Sequence, residues 1–320
     1  MKAIFKLIRW KNLLLTALVV WLMEKMVAVP LLDRALFGEQ LPSWLLCLLM
    51  LSVVMIAAGG YAINDYFDVK IDNINRPDKL LVTRDISKSQ AMFVHQVMTV
   101  IGVLAGLVVA WFTRSWTLLL TFIFIPGLLW FYSSSYKRQF IVGNLIVSFS
   151  AALVPLVVAI ANAGYMRHRF GEIMQYTSVG KEIYLWIGVF SVFAFLTTLI
   201  REILKDLQDQ YGDRELECHT LPILIGNTWT KVIVTILILL TAGLATWFVL
   251  IFNQSIVSST PSFWSAPVRY LLFGLIVPLC CELYLIWSAK IPSDYKSAQL
   301  LMKFIMLIGV LFSIVIRFTI

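Results

Sequence analysis

The feature that most limits how this chain can fold is its series of long apolar runs, each about the length needed to cross a bilayer. A helix of about 20 apolar residues spans the hydrocarbon core, and it satisfies every backbone polar group within itself. The runs lie at about 12–31, 43–64, 92–113, 116–134, 140–162, 182–202, 231–252, 267–289 and 298–318. Only 14% of the residues are charged and 60% are hydrophobic, whereas a soluble domain is about 25% charged. The expectation is an all-α, multi-pass membrane helical bundle of nine transmembrane helices. It reads as a single domain over 1–320, since no Pro/Ser-rich linker or low-complexity tract interrupts it. The first run follows a basic amino terminus, as a signal peptide would. It lacks a small-residue cleavage site and is too long, so it reads as a retained helix.

Basic residues give the orientation. With the amino terminus in the cytoplasm, Lys2, Lys6, Arg9 and Lys11 are inside, as are Lys70, Arg76, Lys79, Arg84 and Lys88. Lys137, Arg138, Arg201, Lys205, Arg214, Lys231, Lys290, Lys296 and Lys303 follow. That makes 18 of the 26 Lys and Arg residues, the asymmetry of the positive-inside rule. The net charge of +8 is therefore read as topology and not as a nucleic-acid surface. Cys47, Cys218, Cys280 and Cys281 form no C-x-x-C, which argues against a zinc site or a disulfide framework.

Two acidic clusters stand out against this apolar background. One is Asn64-Asp65-x-x-Asp68-x-x-x-Asp72 and the other is Asp206-x-x-Asp209-x-x-x-Asp213. Each places carboxylates at i, i+3 and i+7, which share one face of a helix. Counting Glu202, the two segments hold seven of the 18 acidic residues. Like charges this close repel unless a cation is present. Hard divalent ions take oxygen ligands, and Mg²⁺ typically uses one or two carboxylates with phosphate oxygens and water. Both clusters fall on the cytoplasmic side, where two matched acidic faces can hold cations carrying a diphosphate. A solvated helix end is the plainer reading of either cluster alone.

Basic neighbours extend the pattern. Arg201 and Lys205 lie at i, i+4 beside the second cluster, placed either to bridge its carboxylates or to bind diphosphate oxygens. Tyr132 and Lys137 end the fourth run, and Asn75-Arg76-Pro77 closes the first acidic helix, because the residue before proline leaves the helical region. His95, among Phe93, Val94 and Met98, reads as a packed, hydrogen-bonded histidine. No G-x-S-x-G, Walker A or H-E-x-x-H pattern is present.

Together these segments resemble the UbiA superfamily of intramembrane prenyltransferases over nearly the whole chain. The resemblance rests on Asn64-Asp65-Tyr66-Phe67-Asp68-Val69-Lys70-Ile71-Asp72, on Tyr132…Lys137 with Gly143-Asn144, and on Arg201-Glu202-Ile203…Asp213 with Thr220-Leu221-Pro222…Gly226. It implies Mg²⁺ held by Asn64, Asp65, Asp68, Asp72, Asp206, Asp209 and Asp213, with Asp68, Asp72, Asp209 and Asp213 central to catalysis. It further implies a polyprenyl diphosphate donor gripped by Lys137, Arg201, Lys205, Tyr132 and Arg76, and a small acceptor that attacks C1.

Ile71 to Lys79 is similar to geranylgeranylglyceryl phosphate geranylgeranyltransferase-like members. Those usually continue with Pro-x-Pro-Ser-Gly, and here the chain reads Leu80-Leu81-Val82-Thr83-Arg84. Both an ether-lipid acceptor and an aromatic quinone precursor therefore remain open. A cation or proton transporter is the rival class. Transporters place ionisable groups near the midplane on broken helices, whereas these carboxylates lie at one membrane side with basic partners.

Overall fold

The computed structural model describes residues 2–38, 40–75, 77, 80–256 and 265–319. Among them are nine helices long and apolar enough to cross a membrane. They are α1 Trp10–Arg34, α2 Ser43–Phe67, α3 Lys88–Phe112, α4 Trp116–Ser134, α5 Val142–Phe170, α6 Val179–Glu215, α7 Leu221–Ile251, α8 Ala266–Ser288 and α9 Pro292–Phe318. The only strand-like feature among the described residues is an isolated bridge between Val82 and Ile86.

Several helices run well past their apolar stretches. The 37 residues of α6 make a helix of about 55 Å at 1.5 Å per residue, far longer than a hydrocarbon core of about 30 Å. The second acidic motif rides on the part that overruns the apolar segment. Local signals set the other ends. Ser87 and Gln90 form a reciprocal capping box that starts α3. Between α3 and α4, Arg114 takes a left-handed turn at φ 51°, and the Ser115 hydroxyl accepts from the Leu118 N–H at 3.3 Å.

The chain divides into two compact units. The first comprises Met1–Lys137 and Leu153–Ile187. In it α2 and α3 approach closely because small residues line their contact. A Cβ on Gly102 would lie 2.9 Å from the Ile56 nitrogen and 3.0 Å from the Ser52 oxygen. The Ser52 hydroxyl donates to the Gly102 carbonyl at 2.7 Å, a polar tie of the kind that joins helices in lipid. His95 Nδ1 lies 2.9 Å from the Gly59 carbonyl oxygen, so His95 is the hydrogen-bonded histidine expected. Above this seam Leu7, Ala62, Val82, Ile86, Ala91 and Val94 form an apolar cluster. It pins the amino-terminal helix Lys2–Leu7 and the 80–87 segment over the end of α2. Deeper in the unit, Asn162 Nδ2 donates to Glu24 Oε2 at 2.5 Å, both side chains being fully buried. Glu24 sits in a π-helical turn, Met23–Ala28.

The second unit comprises Arg138–Ala152 and Gly188–Ile320. Lys231 Nζ donates to the Ala289 carbonyl at 2.8 Å and Trp287 Nε1 to Thr235 Oγ1 at 3.1 Å, tying α7 to the end of α8. Tyr270 donates from α8 to the Ile308 carbonyl of α9 at 2.8 Å. Gln299 of α9 donates to Gln208 Oε1 at 2.7 Å, which steadies the acidic end of α6.

Candidate active site

In the first unit the acidic face is built on a near-continuous helix. α2 ends at Phe67, Asp68 takes φ −80° and ψ −2°, and a short helix Val69–Asn75 follows. The irregularity is one residue long, and the ladder carries across it. The Asp68 N–H donates to the Asn64 carbonyl at 2.9 Å, and the Asp72 N–H to the Asp68 carbonyl at 2.8 Å. Asn64 and Asp68 are buried. The described helix runs to Asn75. Arg76 lies outside the described residues.

Each of two carboxylates here has acquired a cation. Asn64 Nδ2 donates to Asp68 Oδ2 at 2.7 Å, and the same oxygen accepts from Lys137 Nζ. Arg9 reaches Asp65 Oδ1 at 2.7 Å and stacks 5.0 Å from the centroid of the Tyr61 ring. Burial works against the Lys137 ammonium, but Asp68, Tyr132 and Asp72 outweigh it and hold its pKa well above the usual lysine value. Thus Asp68, Asp72, Lys137 and Tyr132, far apart in sequence, share one electrostatic neighbourhood.

In the second unit Asp206, Asp209 and Asp213 lie on the last three turns of α6. Asn144 Nδ2 donates to Asp206 Oδ2 at 2.7 Å. Asp213, Glu202 and Lys205 are close enough to act electrostatically on Asp206. Arg201 pairs with Glu202, so within this unit the helix salt bridge holds for Arg201. Glu217, at φ 53°, ends the helix, and the Cys218 N–H caps the Asp213 carbonyl at 2.8 Å.

Two partners escaped the sequence reading. Arg9 had been counted only as a cytoplasmic charge, since nothing local ties it to a residue 56 positions away. Asn144 belongs to the Gly143-Asn144 word, and its signal is a polar amide at the start of the apolar helix α5.

Among the described residues, no group of three His, Cys, Asp or Glu side chains gathers into a ready-made metal site. The chemistry of the donor set nonetheless suits Mg²⁺. Its atoms are carboxylate and amide oxygens, which hard divalent cations prefer. Asp65 and Asp68 already sit against positive charge in the form of Arg9 and Lys137. A site that attracts two cationic side chains has the potential a metal ion needs.

A digeranylgeranylglyceryl phosphate synthase of Ignicoccus hospitalis is 35% identical over 175 residues, 55% of this chain and 52% of that protein. The chain thus spans about half the length of the curated relatives it matches. A solved structure described as giving insight into digeranylgeranylglyceryl phosphate synthase in membranes superposes with a TM-score of 0.65. It is 20% identical and covers 100% of this chain and 99% of its own. A UbiA homologue from Archaeoglobus fulgidus, solved with GPP and Mg²⁺, superposes at 0.53 with 15% identity, over 98% of this chain and 99% of its own. These likenesses establish the fold. The profile of the UbiA prenyltransferase family matches residues 34–308, and the chain belongs to that family.

Proposed function

We propose that the protein is a Mg²⁺-dependent prenyltransferase that moves a polyisoprenyl group from its diphosphate to geranylgeranylglyceryl phosphate, forming an ether lipid. The observation that carries this reading is the pairing of Asp68 with Lys137 and of Asp65 with Arg9. Cations already seated on an oxygen-only acidic face mark a place where a metal and an anionic diphosphate compensate one another. The relatives named digeranylgeranylglyceryl phosphate synthase support the acceptor, and the homologue solved with GPP and Mg²⁺ supports the donor.

In this reading Asn64, Asp65, Asp68 and Asp72, with Asp206, Asp209 and Asp213, hold Mg²⁺. The ion supplies Lewis-acid charge that makes diphosphate a better leaving group. Lys137, Arg201, Lys205 and Tyr132, with Arg76, take the non-bridging oxygens, where charge grows as the bond from C1 breaks. Lys137 suits this task because its neighbours hold it charged. Asn64 and Asn144 orient Asp68 and Asp206 through hydrogen bonds of 2.7 Å. The apolar helices keep water from the allylic cation, so the acceptor oxygen forms the new bond to C1 and releases its proton. All of 1–320 acts as one catalytic domain. It lies in the cell membrane with the amino terminus and acidic segments in the cytoplasm, an orientation supported by the basic asymmetry.

The test is an assay of purified protein with geranylgeranyl diphosphate and three acceptors, geranylgeranylglyceryl phosphate, 4-hydroxybenzoate and 1,4-dihydroxy-2-naphthoate, with and without Mg²⁺. Product and diphosphate release are expected with the lipid phosphate and Mg²⁺. Product with an aromatic acceptor alone overturns the acceptor, and no product from any pair overturns catalysis.

A further inference from the structure

A groove of about 440 Å³ opens in the first unit, lined by Tyr66, Lys88, Ser89, Met92, Phe93 and Gln96. It belongs to none of the chemistry above. Five of its six residues lie on the first turns of α3 at 88, 89, 92, 93 and 96, a spacing that keeps them on one helical face. Tyr66, from the end of α2, closes the other wall. Lys88 and Ser89 make one end polar, Met92 and Phe93 make the next turn apolar, and the Gln96 amide lies one turn further on.

An apolar stripe runs from Phe93 beyond the groove. Phe93 is 66% exposed, Val100 56% and Leu104 58%. These three lie at spacings of seven and four, one stripe on α3. From Phe93 to Leu104 the stripe covers about 16 Å of helix axis, close to half of a hydrocarbon core of about 30 Å. A stripe of that length, beginning at the groove that Lys88 also lines, matches one leaflet of lipid with its headgroup at Lys88. The lysine is also electrostatically available. Among the described residues it has no ion-pair partner, and its nearest ring is Tyr66, with Nζ 5.9 Å from the centroid. A tyrosine beside a lysine at the head of a spanning helix is the usual furniture of the membrane interface.

The geometry points to this groove as a seat for an anionic phospholipid of the surrounding bilayer, its phosphate on Lys88 and its acyl chain along Phe93, Val100 and Leu104. The occupant is anionic because the one charged residue in the lining is a cation, and basic recesses beside spanning helices attract acidic headgroups. The seat has a structural consequence. Tyr66 stands in sequence between Asp65 and Asp68, and its ring packs edge-on against Phe67 at 5.1 Å. A lipid against Tyr66 therefore braces the end of the helix that carries the first acidic motif.

The experiment is native mass spectrometry of the full chain in detergent, titrated with phosphatidylglycerol and, separately, with phosphatidylcholine. The parent is expected to retain one phosphatidylglycerol more tightly than any phosphatidylcholine. Lys88→Glu is expected to weaken that lipid roughly tenfold or more, on the order of the change for reversing one interfacial charge. Lys181→Glu, at an exposed lysine of α6, is expected to leave it unchanged. A melting curve for each variant checks that it folds. Equal retention by Lys88→Glu and Lys181→Glu overturns the seat. Displacement of the lipid by millimolar inorganic phosphate also overturns it, because the site would then recognise free phosphate and not a lipid. The readout counts bound lipid and needs no turnover, so it stands apart from the fate of the proposed prenyl transfer.

Discussion

Asp68 accepts hydrogen bonds from both Asn64 and Lys137, so its loss strands two donors at once. Breaking a buried ion pair from one side costs about 3–5 kcal/mol. Lys137 keeps 21% of its side-chain exposure, which lowers the expectation for Asp68→Ala to about 1–3 kcal/mol. Diphosphate release should fall at least about a hundredfold, the scale of removing one electrostatic group from a transition state. In a double-mutant cycle, adding Lys137→Ala should recover part of the stability and none of the activity. Arg9→Ala is expected to behave differently. Its side chain is 41% exposed, so the stability change should stay within about 1 kcal/mol, while KM for the donor rises and kcat is largely kept. A matched fall in melting temperature and kcat would make Arg9 a strut for the fold. The carboxylates were legible because i, i+3, i+7 is a local pattern. Arg9 was not, because its partner is set by where Leu7 seats the amino-terminal helix.

Among the elements, α2 and α3 depend on glycines whose role is distance. At Gly102 a Cβ would meet backbone at 2.9 Å and 3.0 Å, atoms that cannot turn aside. Gly102→Ala is expected to cost about 1–3 kcal/mol by overpacking. Gly127→Ala in α4, where nothing lies within 4 Å, should cost nothing and can gain up to about 1 kcal/mol of helix propensity. Thermal unfolding of the two in one detergent checks the contrast, and equal melting temperatures would remove the close-approach account. Glu24 offers a second comparison, since its hydrogen-bond partner is the Asn162 amide and not a cation. Glu24→Gln keeps the shape and the acceptor oxygen for Asn162 and cannot ionise, so it should melt no lower than the parent. Asn162→Leu should melt lower, because it leaves the Glu24 carboxyl without its donor. Apolar run length located the nine spanning helices found among the described residues but not their ends. The overrun of α6 is polar, and hydrogen bonds from Gln299 to Gln208 and from Asn144 to Asp206 hold it in place.

For the molecule as a whole, family and fold follow from order, meaning nine apolar helices with acidic words after the second and within the sixth. The division into two compact units was invisible in the sequence, because it depends on which helices pack and no linker marks it. The altered segment after Pro77 was legible as a departure but not as a structure. Val82 and Ile86 are buried in the cluster with Leu7, so that stretch is a packed cover whose side chains answer to the amino-terminal helix. Removing divalent metal with a chelator should abolish diphosphate release and leave the helical content unchanged, and Mg²⁺ should restore turnover. Circular dichroism beside the assay separates the two. Loss of helix on chelation would make the metal a folding requirement.

The pairing of Arg9 and Lys137 with Asp65 and Asp68 also bears on how the proposed metal and donor would load. A cation on Asp65 or Asp68 would compete with the Arg9 guanidinium and the Lys137 ammonium for the same carboxylates. Arriving with diphosphate, it brings the anion that those displaced side chains need. Metal and donor should therefore load as a pair. Calorimetric titration with Mg²⁺ alone should show weak uptake that tightens severalfold once an unreactive diphosphate analogue is present. Equal uptake in both conditions would mean that the resident cations do not gate the metal. Under the proposed function, the same two side chains would serve the carboxylates before loading and the diphosphate after it.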